Sequence, residues 1–234
     1  MVSKPVAKRY KGNQINKMDC YKFGYPEQCN KCGALSNVEL KLPMPYYNNV
    51  TSSKKIMLIG QDPYIYRNHN RVEYVLMLNE EKGQLKRWLG GLFGNDIFSE
   101  VELYATNVVK CPVKREPSSS LKRVLSLLRP YFENCRDYLI TEINQFKPTL
   151  VLTFGEPAHK LFIGILSNGD AFEDRTKEAF TGEFKQAVLG DIRFDYSPCL
   201  HIKTYRVAET YGDRIRKFKN HLMEKLNSGS SSSS

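Results

Sequence analysis

The chain has 234 residues, of which 41% are hydrophobic and 26% are charged, an ordinary balance for a protein with a buried core. Its apolar runs are too short to cross a bilayer, and its basic N-terminus lacks the apolar stretch of a signal peptide. We therefore expect a soluble, intracellular protein of the cytoplasm or nucleoid. The net charge of +10 favours a polyanionic partner, most commonly a nucleic acid, and a solvated lysine-rich surface is an equal alternative on charge alone.

The chain is predicted to form one domain with weak ends. Residues 1–227 form that domain and begin with a basic arm, whereas the Ser-rich residues 228–234 are predicted to be disordered. Basic side chains that are candidates for phosphate contacts crowd the arm and the C-terminal region. They are Lys4, Lys8, Arg9, Lys11, Lys17, Arg214, Arg216, Lys217 and Lys219.

Short apolar runs alternate along the chain with segments of helical spacing. Strands are predicted at Lys55–Gly60, Glu102–Thr106, Thr149–Gly155 and Asp191–Tyr196. Helices are predicted at Gly83–Leu92, Ser120–Leu128, Tyr131–Phe146, Glu156–Leu166 and Val207–Leu226, with the second and third separated near Pro130. This alternation predicts an α/β fold in three layers, α/β/α, with a central, mostly parallel four-stranded sheet.

Residues suited to chemistry follow the ends of these strands. Asp62 and Tyr64 come after the first strand, Asn107 after the second, Glu156 after the third and His201 after the fourth. Because ligands of such sheets bind beyond the carboxyl ends of the strands, we expect these side chains to meet at one edge.

The first strand runs into Gly60-Gln61-Asp62-Pro63-Tyr64, which resembles the water-activating loop of the uracil-DNA glycosylase superfamily. A strand-to-turn segment explains the Asp and the Pro but not the whole string. The resemblance implies that Asp62 orients or activates the attacking water and that Tyr64 excludes thymine by crowding the C5 position. It also implies that Gly60 and Gln61 contact the base.

Two further segments carry the resemblance, in the family's order. Thr106–Pro112 (TNVVKCP) is similar to the segment that bears a base-reading asparagine, here Asn107, whose amide both donates and accepts. Ser197–Tyr205 (SPCLHIKTY) is similar to the segment whose histidine, here His201, donates to uracil O2. Family members have a proline after this histidine, where this chain has Ile202. The residue that wedges into the duplex is therefore one of Ile202, Lys203, Tyr205 and Arg206.

A stacking aromatic and a metal group complete the resemblance. Family members carry the aromatic a dozen or so residues after the first motif, where Tyr74 stands. A CxxC pair followed by two further cysteines matches the ligands of a structural [4Fe–4S] cluster, with zinc as the alternative metal and Cys20 as an alternative ligand. The predicted ligands are Cys29, Cys32, Cys111 and Cys135.

Taken together, the segments resemble an iron–sulfur-containing, family 4-like member with a GQDPY-type motif. The resemblance implies a monomeric enzyme that hydrolyses the N-glycosidic bond of uracil in single- or double-stranded DNA and leaves an abasic site for base excision repair. Three alternatives stay open. They are a relative acting on another damaged base, a non-catalytic DNA-binding relative, and a zinc-knuckle nucleic-acid binder.

Overall fold

The computed structural model describes residues 17–35, 38, 40–63, 73–80, 83–93, 97–114, 120–200 and 208–227. Six strands of this part of the chain form one sheet, in the order β1-β3-β2-β4-β6-β5. The strands are β1 Tyr46–Tyr47, β2 Lys55–Gly60, β3 Glu102–Asn107, β4 Leu150–Phe154, β5 Lys185–Leu189 and β6 Ile192–Cys199. The α-helices are α1 Lys17–Cys20, α2 Gln84–Phe93, α3 Ile97–Glu100, α4 Leu121–Phe146, α5 Glu156–Ile163, α6 Thr176–Ala179 and α7 Ala208–Asn227.

The four predicted strands form the parallel centre of the sheet, β3-β2-β4-β6. The predicted count of four strands was nevertheless too low, because β1 and β5 pair antiparallel at the two edges. β1 has only two residues, and β5 exposes Lys185 and Gln186, so neither has the continuous apolar character of a central strand. The mostly parallel α/β fold is confirmed.

The alternation of side chains along the strands separates two helical layers. On one face, Tyr104 of β3 contacts Phe146 of α4, with ring centroids 5.4 Å apart, and Tyr196 of β6 contacts Phe162 of α5 at 5.2 Å. On the other face, Phe154 of β4 contacts Trp88 of α2 at 5.8 Å. Trp88 in turn stacks on Phe218 of α7. Helices therefore cover both faces of the sheet, as predicted.

The predicted break at Pro130 was wrong, because α4 continues through it from Leu121 to Phe146. Proline removes one backbone donor, and the carbonyl of Ser126 loses its helical partner. Both Ser126 and Pro130 are exposed, so water can satisfy that carbonyl. The helix ends at Lys147, which adopts left-handed backbone angles and donates its N–H to the carbonyl of Ile143.

No helix among the described residues combines the length and apolarity needed to cross a membrane.

Candidate active site

The loop after β2 and the loop after β3 are joined directly by their backbones. Gly60 and Asn107, the last residues of the two strands, are register partners. Beyond them, the N–H of Val108 donates to the carbonyl of Gly60 at 2.9 Å, and the N–H of Val109 donates to the carbonyl of Gln61 at 3.0 Å. Two of the predicted site segments therefore meet at one sheet edge, as the strand order requires.

Position 60 needs a glycine because neighbouring atoms leave no room for a Cβ, and not because of its backbone angles. A Cβ atom at this position would lie less than 3.0 Å from Oδ1 of Asn107 and less than 3.0 Å from Cδ2 of Leu76. Real Cβ atoms essentially never approach other atoms so closely. The Asn107 side chain, 2% exposed, therefore lies across the Cα of Gly60, on the sheet face opposite to Thr106.

Asp62 lies two residues beyond the strand, where the chain leaves the sheet. Its side chain is half-buried, and Oδ1 accepts a hydrogen bond of 2.7 Å from Nε2 of Gln61. The next residue, Pro63, is buried and holds the turn. A carboxylate can accept several hydrogen bonds at once.

Leu76 is a site residue that the sequence analysis did not identify. Its side chain closes over Gly60 beside Asn107, whereas Tyr74 is buried, at 7% exposure, and forms an isolated bridge with Met44. Leu76 and Met77 both have left-handed backbone angles, with φ of 59° and 52°. Each such residue costs roughly 1–2 kcal/mol, and such strain clusters at functional sites. The stacking role of Tyr74 stays a prediction.

Several predicted site residues lie outside the described residues. They are Tyr64, His201, Ile202, Lys203, Tyr205 and Arg206, together with the candidate phosphate contacts Lys4, Lys8, Arg9 and Lys11. The strand that leads to His201 is described up to its end at Cys199, which is fully buried and whose carbonyl accepts the N–H of Gly155 at 3.1 Å. The loops after β4 and β6 therefore also begin side by side.

Glu156, which follows β4, has a structural contact. Its Oε2 accepts the backbone N–H of Thr176 at 2.8 Å and so ties α5 to the start of α6. This contact explains its position without a catalytic role.

Lys110 and Glu142 form an ion pair that is 2.8 Å long and almost wholly enclosed, with side chains 1% and 0% exposed. The ammonium of Lys110 also donates to Oγ1 of Thr106 at 2.6 Å and to the backbone carbonyl of Asn107 at 2.8 Å. Burial raises the pKa of Glu142, while the charge of Lys110 opposes that shift. A buried charge of this kind needs a partner, and here the pair stands directly behind Asn107.

Three of the four predicted ligand cysteines interact as a connected set. Cys32 forms a side-chain hydrogen bond with Cys111, and Cys111 forms another with Cys135. The bond from Cys111 and the N–H of Lys110, 3.3 Å from Sγ of Cys135, lower the pKa of the Cys135 thiol. The remaining cysteine, Cys29, is close enough to Cys32 to act on its pKa.

Backbone and side-chain N–H groups donate to two of these sulfurs. Besides the Lys110 N–H, Nδ2 of Asn134 donates to Sγ of Cys32 at 3.4 Å, and such N–H donors surround the sulfurs of metal–thiolate centres. Within the part of the chain that the structure describes, no group of three or more His, Cys, Asp or Glu side chains is arranged so that it could hold a metal ion. Cys20 lies elsewhere, hydrogen-bonded to the backbone of Tyr47.

All four predicted phosphate contacts on α7 already have partners within the protein, and Lys219 donates to the carbonyl of Gly91 at 3.4 Å. Arg216 pairs with Asp213, Lys217 with Glu183, and Arg214 donates to the carbonyl of Lys177. These contacts are exposed and therefore weak, so the side chains remain able to exchange them for a polyanion.

Comparison with known proteins identifies a family. No curated protein matches the chain. A family model described as the uracil DNA glycosylase superfamily matches residues 47–222.

Proposed function

The chain belongs to the uracil DNA glycosylase superfamily and is a DNA glycosylase of that superfamily, and from this premise we propose that its substrate is uracil in DNA. The product is an abasic site, the first intermediate of base excision repair. The observation that carries the proposal is the packing of the Asn107 side chain across Gly60, two residues before Asp62. It supports a pocket with a base-reading amide on one side and a carboxylate at its rim.

Recognition of the base is assigned to Asn107. Its amide can donate to O4 and accept from N3–H of uracil, and the polarity of that edge is reversed in cytosine. The burial of Asn107 favours discrimination, because a wrong base would leave buried polar groups unpaired. Tyr64 completes the selection by excluding the methyl group of thymine.

Hydrolysis is assigned to Asp62 with His201. The enzyme binds DNA through phosphates and turns one nucleotide out of the strand, at a cost of a few kcal/mol. As the glycosidic bond breaks, positive charge develops on the sugar and negative charge on uracil O2. Asp62 stabilises the sugar and directs water to C1′, and His201 donates a hydrogen bond to the departing anion.

The four cysteines are assigned to a [4Fe–4S] cluster, with zinc as the alternative. When bound, the group supplies structural cross-linking and no step of the hydrolysis. Cys29 and Cys32 precede the sheet, Cys111 follows β3, and Cys135 lies in α4, so their shared group would join three separate segments.

The test is excision from oligonucleotides that carry one uracil in a single strand, opposite guanine or opposite adenine. Alkali-labile strand breaks report the abasic product, and matched substrates with thymine, hypoxanthine or an oxidised pyrimidine report selectivity. We expect cleavage of the uracil substrates, with thymine left intact. Faster cleavage of another base would replace uracil as the substrate, and no cleavage of any substrate would identify a non-catalytic relative.

A further inference from the structure

The buried ammonium of Lys110 has all of its hydrogen-bonding capacity in use. A lysine side chain has three N–H donors, and here they reach Thr106, Asn107 and Glu142. The ammonium also lies 5.2 Å from the ring centroid of Tyr25. If Lys110 served only to balance the charge of Glu142, its contacts with Thr106 and Asn107 would not be needed.

The contacts of Lys110 hold the end of β3 from one side. Thr106 and Asn107 direct their side chains to opposite faces of the sheet, because successive strand residues alternate. Lys110 binds the hydroxyl of Thr106 and the backbone carbonyl of Asn107, so it fixes the peptide whose side chain crosses Gly60 on the opposite face. The Lys110 ammonium therefore holds the Asn107 peptide from behind the strand.

The same residue connects this peptide to the cysteines. The backbone N–H of Lys110 donates to Sγ of Cys135, and Cys135 and Glu142 lie on the same helix, α4. One residue thus contacts the strand end through its side chain and the cysteine group through its backbone.

We propose that Lys110 is a positioning residue for base recognition, which acts by holding the Asn107 peptide so that the amide is presented at a fixed angle to the base. The proposal rests on the proposed function. It requires that Glu142 serve mainly to balance the charge of Lys110, because Glu142 does not itself contact Asn107 in any described hydrogen bond.

The experiment compares Glu142→Gln with the double variant Lys110→Met/Glu142→Gln, in which no charge is left unpaired. Glu142→Gln keeps the lysine and its bond to Asn107, whereas the double variant removes them. Tyr196→Phe is the matched control, because it deletes a buried hydroxyl bonded to Thr153 and His159 elsewhere in the same sheet. Asn107→Ala provides the reference value for the preference that remains when the base-reading amide is absent.

The readout is binding, by fluorescence anisotropy, of oligonucleotides with a single non-cleavable 2′-fluoro-deoxyuridine or 2′-fluoro-deoxycytidine. Thermal unfolding and single-turnover excision are measured on the same samples, below all melting transitions. We expect the double variant to lose roughly tenfold of the preference for the uracil probe, as expected for loss of one base-reading contact, with affinity for undamaged DNA unchanged. Glu142→Gln and Tyr196→Phe keep the preference, even where they melt earlier.

A double variant that retains the wild-type preference and excision rate, and only melts earlier, overturns the proposal. If the double variant does not fold, Thr106→Val removes one anchor of the ammonium and is expected to lower the preference by a smaller factor. An unchanged preference in that variant also overturns the proposal. If the wild-type protein prefers neither probe, the proposed function is contradicted instead. That result is distinguishable, because Asn107→Ala then leaves binding of both probes unchanged.

Discussion

The Asn107 side chain occupies the space that any side chain on Gly60 would need. The two residues end neighbouring parallel strands, and the loops beyond them are joined through Val108 and Val109. The candidate base-reading group and the loop that carries Asp62 are therefore placed by the same few backbone contacts.

Replacement of Gly60 by alanine is expected to disable the site more than the fold. The added methyl must displace Asn107 or Leu76, and a displacement of about 1 Å at a reacting centre can cost roughly a hundredfold in rate. The accompanying overpacking is expected to cost about 1–3 kcal/mol of stability. Single-turnover excision and thermal unfolding measure the two effects.

Gly91→Ala is the matched control, since no atom lies within 4 Å of a Cβ at this position in α2. It should stabilise the helix by about 0.5–1 kcal/mol and leave excision unchanged. Equal rates for Gly60→Ala and wild type would show that the close approach to Asn107 is not used.

Asp62→Asn is expected to lower excision by roughly 10²–10⁴-fold, because the amide can no longer act as a base toward water. Binding to uracil-containing DNA should survive, since a negative charge near the phosphates is removed. Asp170→Asn, at an exposed carboxylate in the short helix Gly169–Phe172, is the control and should behave as wild type. Undiminished turnover by Asp62→Asn would remove this residue from the mechanism.

Stability is expected to fall as the pH drops below about 6.5, through His159. Its Nε2 faces the carbonyl of Asp174 at 3.0 Å and must donate, so Nδ1 accepts from the hydroxyl of Tyr196 at 2.6 Å. Burial lowers the pKa of His159 below the ordinary value of 6.5. The unfolded chain therefore binds the proton first, and stability is complete above that value and lost below it.

Thermal unfolding of wild type and His159→Gln between pH 8 and pH 5 checks this expectation. The variant should be less stable at neutral pH and should lose less stability on acidification. A wild-type profile with the same slope as that of the variant would contradict it.

Cys111→Ser is expected to abolish metal loading. The purified variant should lose iron, acid-labile sulfide and visible absorbance, whereas Cys20→Ser, at a thiol beside Tyr47, should retain them. Zinc content in place of iron would identify the alternative metal. Loss of the group from Cys20→Ser but not from Cys111→Ser would require a different ligand set.

The sequence predicted β2, β3 and β4 to within one residue because each is buried on both faces, whereas β6, which exposes Arg193, runs three residues beyond its predicted end at Tyr196. β2 begins and ends where its apolar run does, since all of its residues after Lys55 are buried. β5 was missed because its first two residues are exposed, although the turn at Gly190-Asp191 before β6 is a short hairpin signal. The sequence predicted a helix break near Pro130 because the solvent exposure of this residue could not be deduced from the sequence.

The sequence predicted the motif residues of the candidate site but not the contacts that support them. Asn107 and Asp62 stand in recognisable strings, but Leu76 reaches Gly60 only through left-handed backbone angles that no local pattern indicates. Lys110 was passed over as one of many lysines. Its position within the apolar run Val108–Cys111 is the available signal, because a charge inside such a run must be paired.

The antiparallel edges bear on how the protein behaves at high concentration. β1 is only two residues long, and β5 exposes the charged Lys185. Short edges and edge lysines both discourage a second copy from adding a strand. Association of two copies through sheet extension is therefore disfavoured.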